Sequence, residues 1–174
     1  MSYARFAAMI LTSTVIMYGL MYLNTYEMGH VYFSETRFWM ALYMGAMMAA
    51  IMLAFMLGMY KKTKINIAIF VGAVVLFAGS LYLLRSQDTI DDTAYMMGMI
   101  PHHSIAILTS ERANIEDVRV RELADDIILA QRREIDEMKW LIDDIDKNGR
   151  ATTDAEAANR PVPDFEASLN SASQ

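Results

Sequence analysis

The sequence predicts an all-α protein: three transmembrane helices followed by a soluble amphipathic helical hairpin. Three observations carry that prediction. Uncharged apolar runs occupy residues 6–23, 38–60 and 65–84, and about 20 such residues rising 1.5 Å each cross a hydrocarbon core of about 30 Å. Charge is divided unevenly, with six Lys/Arg and two Asp/Glu in residues 1–85 against nine and nineteen in residues 86–174, which together make the net −6. Beyond residue 86, apolar residues recur at helical spacing. The chain therefore divides into a membrane anchor (1–85), an extracytoplasmic hairpin (86–149) and a tail (150–174).

Composition removes several classes of function. With no cysteine there are no disulfides, thiolate zinc sites or thiol nucleophiles. Nothing is basic enough for a nucleic-acid partner, and no nucleophile–base pair or phosphate-binding loop appears.

The first run exceeds the usual length of a signal-peptide core and ends without a small-x-small cleavage site, so it reads as an uncleaved span. The polar connection that follows contains Glu27, His30 and Glu35. Glu27 and His30 have Glu-x-x-His spacing, but a di-iron carboxylate bundle needs two such pairs and further glutamates on facing helices. The segment reads as a solvated loop at the membrane edge.

In the second run Phe38, Trp39, Tyr43 and Tyr60 serve as interfacial aromatics. Ala46, Ala50, Ala54 and Gly58 repeat every four residues as a face for close helix approach. Met40, Met44, Met48, Met52 and Met56 repeat on another face. That stripe is open to two readings, adaptable packing or a path for soft metal ions. Lys61, Lys62 and Lys64 then mark the cytoplasmic side by the positive-inside rule, as does Arg5. This puts the N-terminus in the cytoplasm and everything after Arg85 outside it.

Asp88 or Asp91 is expected to cap the helix that carries Met96, Met97, Met99, His102 and His103. Pro101 either kinks that helix or restarts it. Met96, Met99 and His103 share one face, and His102 points about 100° away. Thioether and imidazole are donors that Cu(I) or Ag(I) prefers; the same residues also suit core packing. The helix is expected to fade near residues 112–114. A second should start near residues 116–117 and stop at Gly149, with Leu123, Ile127, Ala130, Glu134, Met138, Leu141 and Ile145 on its inner face. Antiparallel pairing about residues 115–116 sets Met96 opposite Ile135 and Met99 opposite Arg132, so Glu134 and Met138 approach the Met-rich end. One hairpin cannot bury both its apolar faces, so a second copy is expected as partner, giving a four-helix bundle. The segment 150–174, rich in Ala, Asn, Asp, Ser and Pro, is expected to be disordered.

Met99-Ile100-Pro101-His102-His103, with Ile105-Ala106-Ile107, Gln131, Glu134-Ile135, Met138 and Trp140-Leu141, resembles the domain-of-unknown-function 305 family. Asn24-Thr25-Tyr26 and His30 to Glu35 are similar to its three-span bacterial members. The resemblance implies a ferritin-like helical bundle and copper or silver binding in metal tolerance, with Met96, Met97, Met99, His102, His103 and Met138 as ligands. It also implies a bacterial inner membrane with a periplasmic C-terminal domain. Larger members carry two hairpins and this chain one, so a four-helix site requires two copies.

The leading expectation is a membrane-anchored extracytoplasmic binder of Cu(I) or Ag(I), acting as buffer or carrier. The alternatives are a structural, oligomeric helical membrane protein, and a ferritin-like di-metal oxidase, for which Glu134 and Glu111 are too few carboxylates in one hairpin. The balance is against an enzyme. Expected partners are the metal ion, the lipid bilayer and a second copy of the chain.

Overall fold

A computed structural model of the chain describes residues 2–169. These residues contain helices and no strand: α1 (Tyr3–Leu20), α2 (Glu35–Met56), α3 (Thr63–Ser86), α4 (Asp92–Arg112), α5 (Val118–Asn148) and the short α6 (Asp154–Asn159), with one 3₁₀ turn at Met28–His30. They form two compact units. One joins the chain up to Leu23 with Ser34–Ile90; the other joins Asn24–Phe33 with the chain from Asp91 onward.

The first unit holds α1, α2 and α3, each long and apolar enough to cross a membrane. Apolar side chains such as Val15, Phe55 and Val75 stay exposed on its surface, which suits hydrocarbon because lipid is as apolar as they are. Contact between α1 and α2 depends on small residues. A Cβ at Gly45 would lie 2.5 Å from Thr14 Oγ1, so only glycine permits that approach. The small face in use is Ala41, Gly45 and Ala46, all buried, while Ala54 and Gly58 of the expected stripe are exposed.

Polar groups close both ends of this unit. Arg37 donates to the carbonyl of Met21 (2.8 Å) just beyond α1, where the helix dipole is negative, and its guanidinium lies over the Tyr22 ring. At the other end Tyr3 Oη donates to Asn66 Oδ1 (2.8 Å), and Asn66 Nδ2 donates to the Tyr60 carbonyl. The N-terminus of α1 and the α2–α3 connection therefore share one end.

The second unit is built on the α4–α5 hairpin, whose boundaries follow from local chemistry. Asp91 caps α4, accepting from Ala94 N (2.8 Å), and Asp117 caps α5, accepting from Arg119 N. Gly149 ends α5 at φ +76°, a conformation that glycine adopts without strain. Pro101 lies inside α4, which continues through it. Met96, Ile100, Ile107, Ile128, Ile135 and Met138 form the core.

The buried face of α5 runs through Ala124, Ile128, Ile135 and Met138. Met138 of the expected inner face lies on it, and Leu141 and Ile145 of that face pack against the core. In the N-terminal part of α5 the burial falls one residue on, at Ala124 and Ile128, and Leu123 is 59% exposed. In that part both rows are apolar, and one of them has to face outward. The 24–33 segment is packed rather than solvated, with Tyr26 and Tyr32 against the hairpin core and His30 buried. The segment belongs to the same compact unit as α4 and α5.

Composition alone points to a disordered segment after residue 149, but α6 forms there behind a capping box of Thr153 and Glu156. Residues 170–174 of that expected tail lie outside the described residues.

Replacing Ile135 with Ala should cost about 2–5 kcal/mol, the usual range for emptying a buried Ile position. Leu123→Ala should stay within about 0.5 kcal/mol. Hydrogen exchange of the α5 amides in the full chain measures both, and equal losses would return the buried face to the Leu123 stripe.

Candidate functional site

Beside the hairpin core lies a cavity of about 1320 Å³, and Met96, Met99, His103, Glu134 and Met138 line one part of it. Of the seven residues singled out by sequence, these five are brought together. Met97 is half-buried and His102 exposed, and neither lines the cavity. Helical geometry gives the reason, since each stands next to a lining residue and is turned about 100° from it.

His103 is the best-defined member. Its Nδ1 lies 3.0 Å from the Met99 carbonyl oxygen, and its Nε2 lies 2.7 Å from Glu134 Oε2. The contact with Glu134 comes from residues that simple turn-centred pairing does not set opposite each other. In a helix, side chains lean toward their own N-terminus. In an antiparallel pair those directions converge, so two long side chains meet between offset positions. Both ring nitrogens thus face acceptors. A carbonyl only accepts, so the contact with Met99 needs a hydrogen on Nδ1; an ionised carboxylate likewise needs one on Nε2. Both contacts are satisfied together by a ring with hydrogen on each nitrogen, by a neutral Glu134 carboxyl donating to Nε2, or by an Nε2 lone pair that goes to a cation. The Nδ1–H donated to a backbone carbonyl is the usual way to orient a metal-binding imidazole.

Among the described residues, no three or more His, Asp or Glu side chains gather in a group that could hold a metal. The cavity lining holds one imidazole, three thioethers and four carboxylates. Asp92 and Asp144 are paired with Arg150 and Arg160. The wall around His103 combines its imidazole and Glu134 with the thioethers of Met96, Met99 and Met138, donors that suit soft cations.

Two further features escaped sequence reasoning. Ser104, next to His103 and fully buried, accepts from Tyr26 N (2.7 Å) and sits 3.0 Å from His30 Nδ1. The Glu27–His30 spacing drew attention to this histidine for another reason; its role here is to tie the first loop to the turn of α4 that presents His103. Burial lowers the pKa of His30, helped by the positive charge of Lys139.

The second feature is the chain after α5, which supplies Arg150, Arg160 and Val162 to the cavity wall. Arg150 pairs with Asp91 and Asp92, each at 3.0 Å. Arg160 pairs with Asp144 (2.6 Å) and donates to the Gly149 carbonyl. The clustered arginines and aspartates were present in the sequence, but nothing local pairs residues 59 apart.

The family model described as "Domain of unknown function (DUF305)" matches residues 92–171. "Uncharacterized protein L153" of Acanthamoeba polyphaga mimivirus is 32% identical over 144 residues, covering 79% of this chain and 93% of that protein. The chain belongs to the DUF305 family. The alignment with the viral relative is longer than the stretch from residue 92 to the C-terminus, so this DUF305 chain and that relative are also alike in the part that precedes the family match. No solved structure matches the chain.

Two outcomes are expected from this geometry. His30, with its pKa lowered in the folded state, binds fewer protons folded than unfolded. Its contribution to stability is complete above the unfolded value of about 6.5 and declines as pH falls below it. The unfolding midpoint should therefore drop more between about pH 7 and pH 5 in the wild type than in His30→Gln. The arginine pairs predict a second outcome. In Arg150→Ala/Arg160→Ala, peroxide should oxidise Met99 and Met138 severalfold faster, while Met28, 87% exposed, should react as in the wild type. Peptide mass spectrometry reads both rates, and unchanged rates at Met99 and Met138 would mean that the C-terminal segment does not close the cavity.

Proposed function

We propose that this protein is a membrane-anchored binder of soft metal ions, Cu(I) or Ag(I), acting outside the cytoplasm as a buffer or carrier in metal tolerance. The observation that carries this reading is the setting of His103, on a cavity wall shared with Met96, Met99 and Met138. Its Nδ1 faces a carbonyl and its Nε2 faces a carboxylate. A cation at Nε2 takes the place of a proton and turns two opposed lone pairs into two donors to one ion. Glu134 supplies a negative charge to a monovalent ion, and the thioethers complete a soft coordination sphere. The cavity is much larger than an ion, so ligation involves only this wall.

The proposal extends to orientation and assembly. The three lysines between α2 and α3 support a hairpin outside the cytoplasm by the positive-inside rule, and the family resemblance is the support for a bacterial inner membrane. The exposed apolar edge of α5 at Val118, Val120 and Leu123 suits a second copy, with which two hairpins would make a ferritin-like four-helix bundle. His102 and Met97, turned away from the cavity, would take part in metal handling only at such an interface or during loading.

Acid separates the two kinds of donor, because imidazole must lose a proton to bind metal and thioether has none to lose. Competition with a Cu(I) chelator should show affinity falling in acid without vanishing. His103→Ala should weaken binding and flatten that dependence. Met99→Leu should weaken binding and leave the pH dependence in place, while costing less than about 1.5 kcal/mol in stability. Identical curves for all three proteins would reduce the cluster to core packing.

A further inference from the structure

The membrane unit holds a second set of soft donors. Met17 of α1 and Met44, Met47, Met48 and Met52 of α2 supply five of the eight residues that line an apolar groove of about 450 Å³. From this we infer a binding site for a soft monovalent cation, of the Cu(I) or Ag(I) class, made of thioethers within the membrane span.

Hydrocarbon solubility does not account for these methionines. The α2 sequence contains six, whereas α3, equally able to span a membrane, contains none and uses Ile, Val, Leu and Phe instead. Gap filling, the usual work of Met in a core, accounts for only part of them: Met48, Met52 and Met56 are half-buried against the core of Phe6, Ile10, Leu53 and Tyr60, whereas Met47 is 43% exposed. The fully buried positions of α2 are Arg37, Ala41, Gly45, Ala46 and Leu53, with no methionine among them. Met44, Met47, Met48 and Met52 also border an open groove.

Chemistry then selects the occupant. Thioether is a neutral, polarisable donor that holds Cu(I) and Ag(I) and has little affinity for hard divalent ions. The groove lining includes no carboxylate. A divalent ion would therefore carry uncompensated charge into an apolar medium, which is costly even for one unit of charge. Tyr43 and Phe77, in edge contact at 5.9 Å, belong to the same lining and bring aromatic rings, whose faces attract cations, to a site without a counter-ion. Binding here involves no titrating group, so unlike binding at His103 it should be the same at about pH 5 and pH 7.

The site stands apart from the function proposed above and shares with it only the class of ion. The test uses the full chain in detergent micelles, loaded with silver nitrate and gel-filtered, with silver per chain counted by elemental mass spectrometry. Met44→Leu/Met48→Leu/Met52→Leu should retain one silver ion fewer than the wild type, and Met99→Leu/Met138→Leu should keep the groove's ion. Equal retention by the groove variant and the wild type would overturn the inference. Loss in the groove variant with no change in the cavity variant would leave this site standing and remove the other. Silver should also slow peroxide oxidation of Met44, Met48 and Met52 severalfold in the wild type, with Met28 unaffected. This arm decides the matter even if the triple variant folds poorly, since unslowed oxidation would equally overturn the site.

Discussion

Two helices packed side by side bury only the strip along which they touch, and the soluble unit is organised by that constraint. The strip between α4 and α5 is the row from Met96 and Ile100 to Ile135 and Met138. To either side of it the helices still carry apolar surface. Part of the cover comes from the 24–33 segment, through Tyr26 and Tyr32, and part from the chain after α5, which walls the cavity. Ordering such segments costs about 1–2 kcal/mol of backbone entropy per residue, so specific contacts have to hold them. The fully buried Ser104 hydroxyl does this for the first segment. Arg150 and Arg160 do it for the second, and the Arg160–Asp144 pair is the better shielded.

The same packing separates adjacent histidines into two environments. His103 is buried between the Met99 carbonyl and Glu134, while His102 stands in solvent with its ring centroid 6.3 Å away. The ring of His103 is thus fixed by its own helix on one side and by α5 on the other. Through Ser104, the turn that carries it is also held by a segment about 75 residues earlier in the chain. A side chain supported from three directions is held in place.

In the membrane unit the packing logic is different, because lipid offers no hydrophobic drive for helices to associate. Close approach depends on Ala41, Gly45 and Ala46, and polar groups close the two ends. Met48, Met52 and Met56 of α2 pack half-buried against the core of Phe6, Ile10, Leu53 and Tyr60, and Met44, Met47, Met48 and Met52 border a groove, so the helix combines a packing face of small residues with a groove of soft donors.

The sequence by itself determined the five long helices and most of their boundaries, though not α6. Run length and charge distribution marked three candidate spans, and Asp91, Asp117 and Gly149 mark helix ends because capping acts within a few residues. Helical periodicity also placed Met96, Met99 and His103 on one face and turned His102 away. What only the tertiary structure decided was which of two apolar rows in the N-terminal part of α5 faces α4, since Leu123 and Ala124 compete on nearly equal terms until a partner helix is present, whereas Met138, Leu141 and Ile145 pack on the core as their spacing predicts. The burial of His30 on Ser104 and the folding of residues 150–169 over the cavity were likewise decided there. Each depends on a pairing between groups far apart in sequence, such as Arg150 with Asp91, and local propensity carries no information about the distance between them.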